Sequence, residues 1–279
     1  MFSALALATP AVFGQVLTTS MPPQMVRLGN VEMKPNQVCE FAAPLSAKAR
    51  YEVAKNGRSV QSAKGALAVP DGFDPKQIWP VLVISTSSGG SAIAAMRAFT
   101  NVALSEGWVV LAADSPIRSA DVDHQDWNWA MLSSVLDYLH RTWTESKRWP
   151  FACAGFSGGA KRSIYVAASL VKEHRVIGTF LGGCNEDRSW DAIRLYRPGE
   201  AFKTVPVFLS CGTSDQIASP EQQTAVKQSL ERGGFKNVRL VTYDGGHSLD
   251  NAHVRLALKW FAPAYKRKAP VPTPEPALK

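Results

Sequence analysis

The sequence predicts an α/β fold, with a mostly parallel central sheet carrying helices on both faces. Short apolar runs rich in β-branched residues alternate with stretches of helical periodicity from about residue 66 onward. Most of those runs are continuously apolar instead of alternating, which is how strands read when both faces of the sheet are covered. A length of 279 residues, 46% hydrophobic and 19% charged, suits one large domain of this kind or two small ones, and a core of that size needs no disulfide or metal staple.

Taken in order, "WPVLVIST" (79–86) is a short buried strand, followed by a helix over "SAIAAMRAFTNVALSEG" with Ile93, Met96, Ala98 and Val102 at helical spacing and Gly107 at its end. "WVVLAAD" is the next strand. "DWNWAMLSSVLDYLHRTW" is a helix with Trp129, Leu132, Leu136 and Leu139 on one face. The strand "FACAGF", a helix over about 159–173, the strand "RVIGTFLGG" and a helical excursion near 187–202 follow. The strand "VPVFLSCG" leads to the helix "SPEQQTAVKQSLERGG", where Ser219 before Pro220 reads as the cap. "VRLVTYD" and the helix "LDNAHVRLALKWFA" close the pattern. Before residue 66 the chain is irregular, with strands expected near "QVCEFA" and "ARYEVA".

The chain therefore divides into a lead-in (1–20), an N-terminal irregular and strand segment (21–65), the α/β unit (66–262) and a proline-rich tail (263–279) too poor in apolar residues to pack. The lead-in, "MFSALALATPAVFGQVLTTS", is apolar and uncharged, short for a membrane span and interrupted by Pro10. It reads either as the apolar part of a signal peptide, with Gly14 at a cleavage point, or as a disordered lead-in. Export to the periplasm or outside the cell is the expectation, with the cytoplasm as the alternative. No other stretch reads as a membrane span.

The formal charge of +8 could attract anionic partners, but the basic residues are scattered and part of the excess sits in the tail around "YKRKAP". No basic stripe interleaved with aromatics appears, so no nucleic-acid partner is expected. The four cysteines show no metal-ligand spacing, and no metal or cofactor is expected. Cys153, Cys184 and Cys211 lie in or at the ends of buried strands and read as small core residues; one disulfide stays open if the protein is exported.

Chemistry concentrates in "GFSGG" (155–159), between an apolar strand and a helix. By chance, G-x-S-x-G arises in roughly one chain in ten of this length, so the context and not the motif carries the weight. A serine on a sharp strand-to-helix turn needs small neighbours two residues either side, and the turn lifts its hydroxyl out of the sheet. Ser157 is the candidate nucleophile, against the plain reading of a glycine-rich turn. A serine hydroxyl needs a base, and the base an orienting acid. Of five histidines, His140 and His174 lie on helices, His253 on the last helix, and His124 in the loop "DVDHQDW". His247, in the loop "YDGGHSLD" after a strand, is the preferred base. Asp215, just past the strand "VPVFLSCG", is the preferred acid, with Glu186 or Asp187 as rivals and Asp244 too near His247 in sequence.

The order Ser157, Asp215, His247 and these loop positions resemble the α/β-hydrolase superfamily over about residues 66–262. The resemblance implies a serine hydrolase working through an acyl-enzyme. It also implies an oxyanion hole, whose donors are worth about 3 kcal/mol each. One donor is expected to be the backbone N–H of Gly158, the other Ser88 or Ser87 in the loop "TSSGG", where many members carry a His-Gly pair. That loop has no P-loop lysine. The short stretch between the strand ending "FLGG" and Asp215 leaves no room for a large cap domain. This compact pattern is most similar to the esterase branch that includes dienelactone hydrolases, polyester depolymerases and feruloyl esterases. Asn185 and Trp190 are the expected substrate contacts, with Trp127 and Trp129 at the rim or in the core. A small-molecule or polymer ester is the expected substrate. The alternatives are a prolyl-oligopeptidase-like peptidase, for which the chain is too short to hold a propeller, and a catalytically idle binding module.

Overall fold

The computed structural model of the chain describes residues 25–55, 60–87, 89–115 and 125–262. The apolar lead-in, the proline-rich tail, Ser88 and His124 lie outside the described residues. Strands β1 (Val26–Leu28) and β2 (Val31–Met33) form a small antiparallel ribbon. β3 (Val38–Pro44), helix α1 (Ala47–Lys55) and β4 (Ser62–Ala68) follow. The alternating part supplies β5 (Val81–Ile84), α2 (Ala92–Arg97), α3 (Thr100–Ser105), β6 (Val109–Ala113), α4 (Gln125–Thr142), β7 (Phe151–Phe156) and α5 (Gly158–Leu170). It ends with β8 (Val176–Gly182), α6 (Ser189–Tyr196), α7 (Ala201–Thr204), β9 (Val207–Gly212), α8 (Pro220–Arg232), β10 (Val238–Tyr243) and α9 (Asn251–Phe261).

Eight strands form one sheet in the order β10-β9-β8-β7-β5-β6-β4-β3. β5 to β10 pair in parallel, and β4 runs against both of its neighbours, β3 and β6. The segment before residue 66 thus supplies the edge strand of the main sheet.

Continuous apolarity in the central strands has a direct cause: alternate side chains serve two cores. Val81, Val83, Leu111, Cys153, Leu181 and Leu209 point into one, with α4 and α5. Leu82, Ile84, Val110, Ala152, Phe180 and Phe208 point into the other, with α2, α3 and α9. The chain leaves β5 for β6 on one side and returns to β7 on the other. That reversal opens a crevice at the carboxyl ends of β5 and β7, where ligands bind in sheets of this kind. Between β8 and β9 the chain holds only α6 and α7, so no separate cap covers this edge among the described residues.

Two local expectations are corrected. "ARYEVA" is helix α1, not a strand. A strand would put Ala49, Tyr51 and Val53 on one face; instead Ala49 and Val53, one helical turn apart, are buried while Tyr51 is 63% exposed. The helix expected over 91–107 is split into α2 and α3 at Ala98–Phe99. There the Phe99 N–H donates to the Met96 carbonyl (2.9 Å), a tighter i−3 turn in place of the i−4 bond of a continuous helix. Trp127 is a core residue, and Trp129 leans on Tyr196 with ring centroids 6.4 Å apart.

Candidate active site

Ser157 caps α5 with φ 55° and ψ −120°, a region that side-chain-bearing residues occupy at a cost of about 1–3 kcal/mol. The flanking glycines are required sterically. A Cβ on Gly155 would sit 2.2 Å from the Gly159 carbonyl oxygen, and one on Gly159 would sit 2.4 Å from the Ser85 carbonyl oxygen. The Ser157 N–H donates to the Gly182 carbonyl (2.8 Å), which ties the turn to the end of β8. α5 then begins beneath the hydroxyl, and its first N–H groups have no partner within the helix.

Asp215 follows β9 and is 3% exposed. Its Oδ1 accepts the Ile217 N–H (2.9 Å) and the Ala218 N–H (2.8 Å), and its Oδ2 lies 2.8 Å from His247 Nδ1. Burial alone would push this carboxyl up; the Ala218 N–H, the His247 imidazole and the Ile217 N–H outweigh it and hold it below the usual aspartate range. The carboxylate fixes a proton on Nδ1, so Nε2 carries the lone pair. The acid and histidine loops touch backbone to backbone: the Ser214 N–H donates to the Gly245 carbonyl (2.9 Å), and a Cβ on Gly212 would lie 2.3 Å from the Gly246 oxygen. Tyr243, which sequence reasoning missed, braces the histidine loop, its hydroxyl 2.8 Å from the Gly246 carbonyl oxygen and 2.5 Å from that of Ser248.

The imidazole packs on Phe156, the residue before Ser157, with ring centroids 4.6 Å apart and the rings tilted by 45°. A Cβ on Gly183 would come within 2.9 Å of its Cε1. Ser157 and His247 therefore rest on the same ledge, Gly182-Gly183, at the end of β8.

The rival acids are engaged elsewhere. Glu186 pairs with Arg188 (2.8 Å) and Lys161 (3.5 Å). Asp187 accepts the Ser189 N–H (2.8 Å) and the Ser229 hydroxyl (2.7 Å), and Asp244 is exposed. His140 and His174 lie together, ring centroids 5.0 Å apart, and His253 Nδ1 contacts the Ser210 hydroxyl at 2.9 Å.

Ser87 stands beside Gly158: a Cβ on Gly158 would lie 3.3 Å from Ser87 Oγ and 3.8 Å from its Cα. An open cavity of about 280 Å³ adjoins this loop, lined by Ser87, Ala94, Ala98, Phe99, Phe156 and Leu249. Asn185 does not face this cavity; its amide donates to the Ile217 carbonyl (3.1 Å) and holds the acid loop. Trp190 is 59% exposed on the first turn of α6, and Ile217, absent from the sequence reasoning, is 62% exposed two residues past Asp215. Among the described residues no group of three or more His, Cys, Asp or Glu side chains is placed to hold a metal.

This sheet order, with helices on both faces and a sharp serine turn after β7, is the α/β-hydrolase fold, and the chain has it. No family model and no curated protein matches the sequence. Many solved structures do share the fold. A ferulic acid esterase, 12% identical, has a TM-score of 0.57 over 81% of this chain and 96% of its own. An esterase from the planctomycete Thermogutta terrifontis, phosphorylated by paraoxon, is 15% identical with a TM-score of 0.55 over 75% of this chain and 92% of its own. A putative dipeptidyl aminopeptidase IV from Bacteroides ovatus, 14% identical, has a TM-score of 0.55 over 81% of this chain but 36% of its own.

Proposed function

We propose that the protein is a serine hydrolase that cleaves carboxylic esters through an acyl-enzyme. Ser157 Oγ attacks the ester carbonyl while His247 Nε2 takes its proton; the imidazolium returns that proton to the leaving alcohol, and water repeats the cycle on the acyl-serine. Asp215 keeps Nδ1 protonated and balances the transient imidazolium charge. The N–H groups of Gly158 and Ser87 are the proposed donors to the oxyanion.

The observation that carries this reading is the Asp215–His247 contact of 2.8 Å, set on the same two-glycine ledge as the strained Ser157. The esterase names of the structural neighbours add support at the level of ester hydrolysis, and the paraoxon adduct of one fits a serine nucleophile. The mostly apolar cavity of about 280 Å³ beside Ser87 favours an apolar acyl or alcohol group, and the absence of a cap among the described residues leaves room for a polymer ester. Export is part of the proposal and rests on the apolar first residues; fractionation of the full-length protein tests it.

The test is turnover of p-nitrophenyl esters of rising acyl length together with labelling by a fluorophosphonate. Labelling and turnover by the wild type, both lost in Ser157→Ala, are expected. Equal rates in the two proteins would leave a binding module. The Bacteroides ovatus neighbour favours a peptidase as the second reading, and cleavage of a proline anilide in preference to the esters would establish it.

A further inference from the structure

Arg162 lies on the second turn of α5, 4% exposed, and takes no part in the chemistry proposed above. A guanidinium is held at such depth only against good acceptors. Its Nη1 donates to the Thr86 carbonyl at 2.7 Å and to the Ser115 hydroxyl at 3.1 Å. Thr86 is the residue before Ser87, so its carbonyl and the Ser87 N–H belong to one peptide unit. No cis peptide occurs among the described residues, and in a trans unit the C=O and N–H point in opposite directions. A charge-assisted bond to the Thr86 oxygen therefore fixes the direction of the Ser87 N–H.

The bond belongs to a closed cycle. The Ser87 carbonyl accepts the Gly90 N–H (2.9 Å), and the Gly90 carbonyl accepts the Ser115 N–H (2.9 Å). The Ser115 hydroxyl in turn accepts from Arg162 and donates to Asn128 Oδ1 (2.6 Å). Arg162 joins this cycle to α5, the helix whose first residue, Gly158, stands against Ser87.

We propose that Arg162 is a positioning residue for the oxyanion hole: its buried cation locks the Thr86–Ser87 peptide so that the Ser87 and Gly158 N–H groups converge on the same oxygen. The proposal rests on the serine hydrolase reading. Its signature is loss of transition-state stabilisation with substrate binding retained.

The test uses the full-length protein with Arg162→Met, Arg162→Gln and Arg162→Lys. Rates are expressed per active site titrated to completion with a fluorophosphonate, alongside the inhibition constant of an alkyl boronic acid, whose serine adduct is tetrahedral. The neutral variants are expected to lose about 10–100-fold in kcat with KM changed less than about threefold. Affinity for the boronic acid should fall in parallel, and lysine should recover most of the loss. A kcat per titrated site within twofold of wild type, or a fall in kcat without loss of boronic acid affinity, overturns the proposal. If neither neutral variant folds, Ser115→Ala opens the cycle and leaves the cation. It should lower kcat and boronic acid affinity together by about threefold or more, and unchanged values overturn the proposal equally. A wild type that the fluorophosphonate does not label removes the serine hydrolase reading instead.

Discussion

Asp215 is buried yet ionised, and the reason is local. Two backbone N–H groups and an imidazole supply what the lost water did, and the balance leaves its carboxyl below the usual range. A carboxyl depressed in the folded state stabilises the protein above the unfolded aspartate value of about 3.9, and that stabilisation is lost as pH falls through the lower, folded value. Asp215→Asn should therefore flatten part of the acid end of the stability curve, read by denaturation at a series of pH values. On the proposed mechanism it should also lower kcat by about 10³–10⁴-fold, because the imidazole loses its fixed tautomer and counter-charge.

The turn between β7 and α5 and the cavity beside α2 make separable predictions. Gly155→Ala should destabilise the protein by more than about 2 kcal/mol and depress activity, because backbone, not a movable side chain, occupies the space a Cβ needs. Gly178→Ala, far from the turn, meets the Phe261 ring at 2.3 Å; it should lower the melting temperature while leaving kcat close to wild type. On the exposed side of α2, Ala94→Phe fills part of the apolar cavity and should shift preference toward short acyl chains, measured as the ratio of kcat/KM for acetate and octanoate esters. No change in that ratio would detach the cavity from substrate binding. The same elements show where periodicity misleads. α1 reads as a strand because Ala49, Tyr51 and Val53 alternate with the charged Arg50 and Glu52, a period of two that packing against α4 overrides. The break at Ala98–Phe99 is a tight turn of the backbone, with the Phe99 N–H on the Met96 carbonyl, and it leaves no mark in the apolar spacing.

The whole molecule stands on its two cores without covalent help. All four cysteines are free, and Cys153, Cys184 and Cys211 are buried. Burial pushes the Cys153 and Cys211 thiols up and raises Cys184 to about 11, so little reactive thiolate forms there. Iodoacetamide should modify Cys39, the half-buried thiol, in the native protein and all four after denaturation, counted by intact mass. A reductant should leave the melting temperature unchanged; a fall would mean a disulfide exists in solution. What could be read from residue order alone was whatever follows a local rule: the alternation of strands and helices, the double-faced strands, the glycine-flanked Ser157, and the strand ends that carry Asp215 and His247. Folding in three dimensions decided the rest. Asp215 meets His247 across 32 positions, Arg162 reaches Thr86 across 76, and Asn185 turns to the acid loop. Those pairings have no period, because they are set by where the ends of parallel strands come together in the sheet and not by the spacing of residues along any one of them.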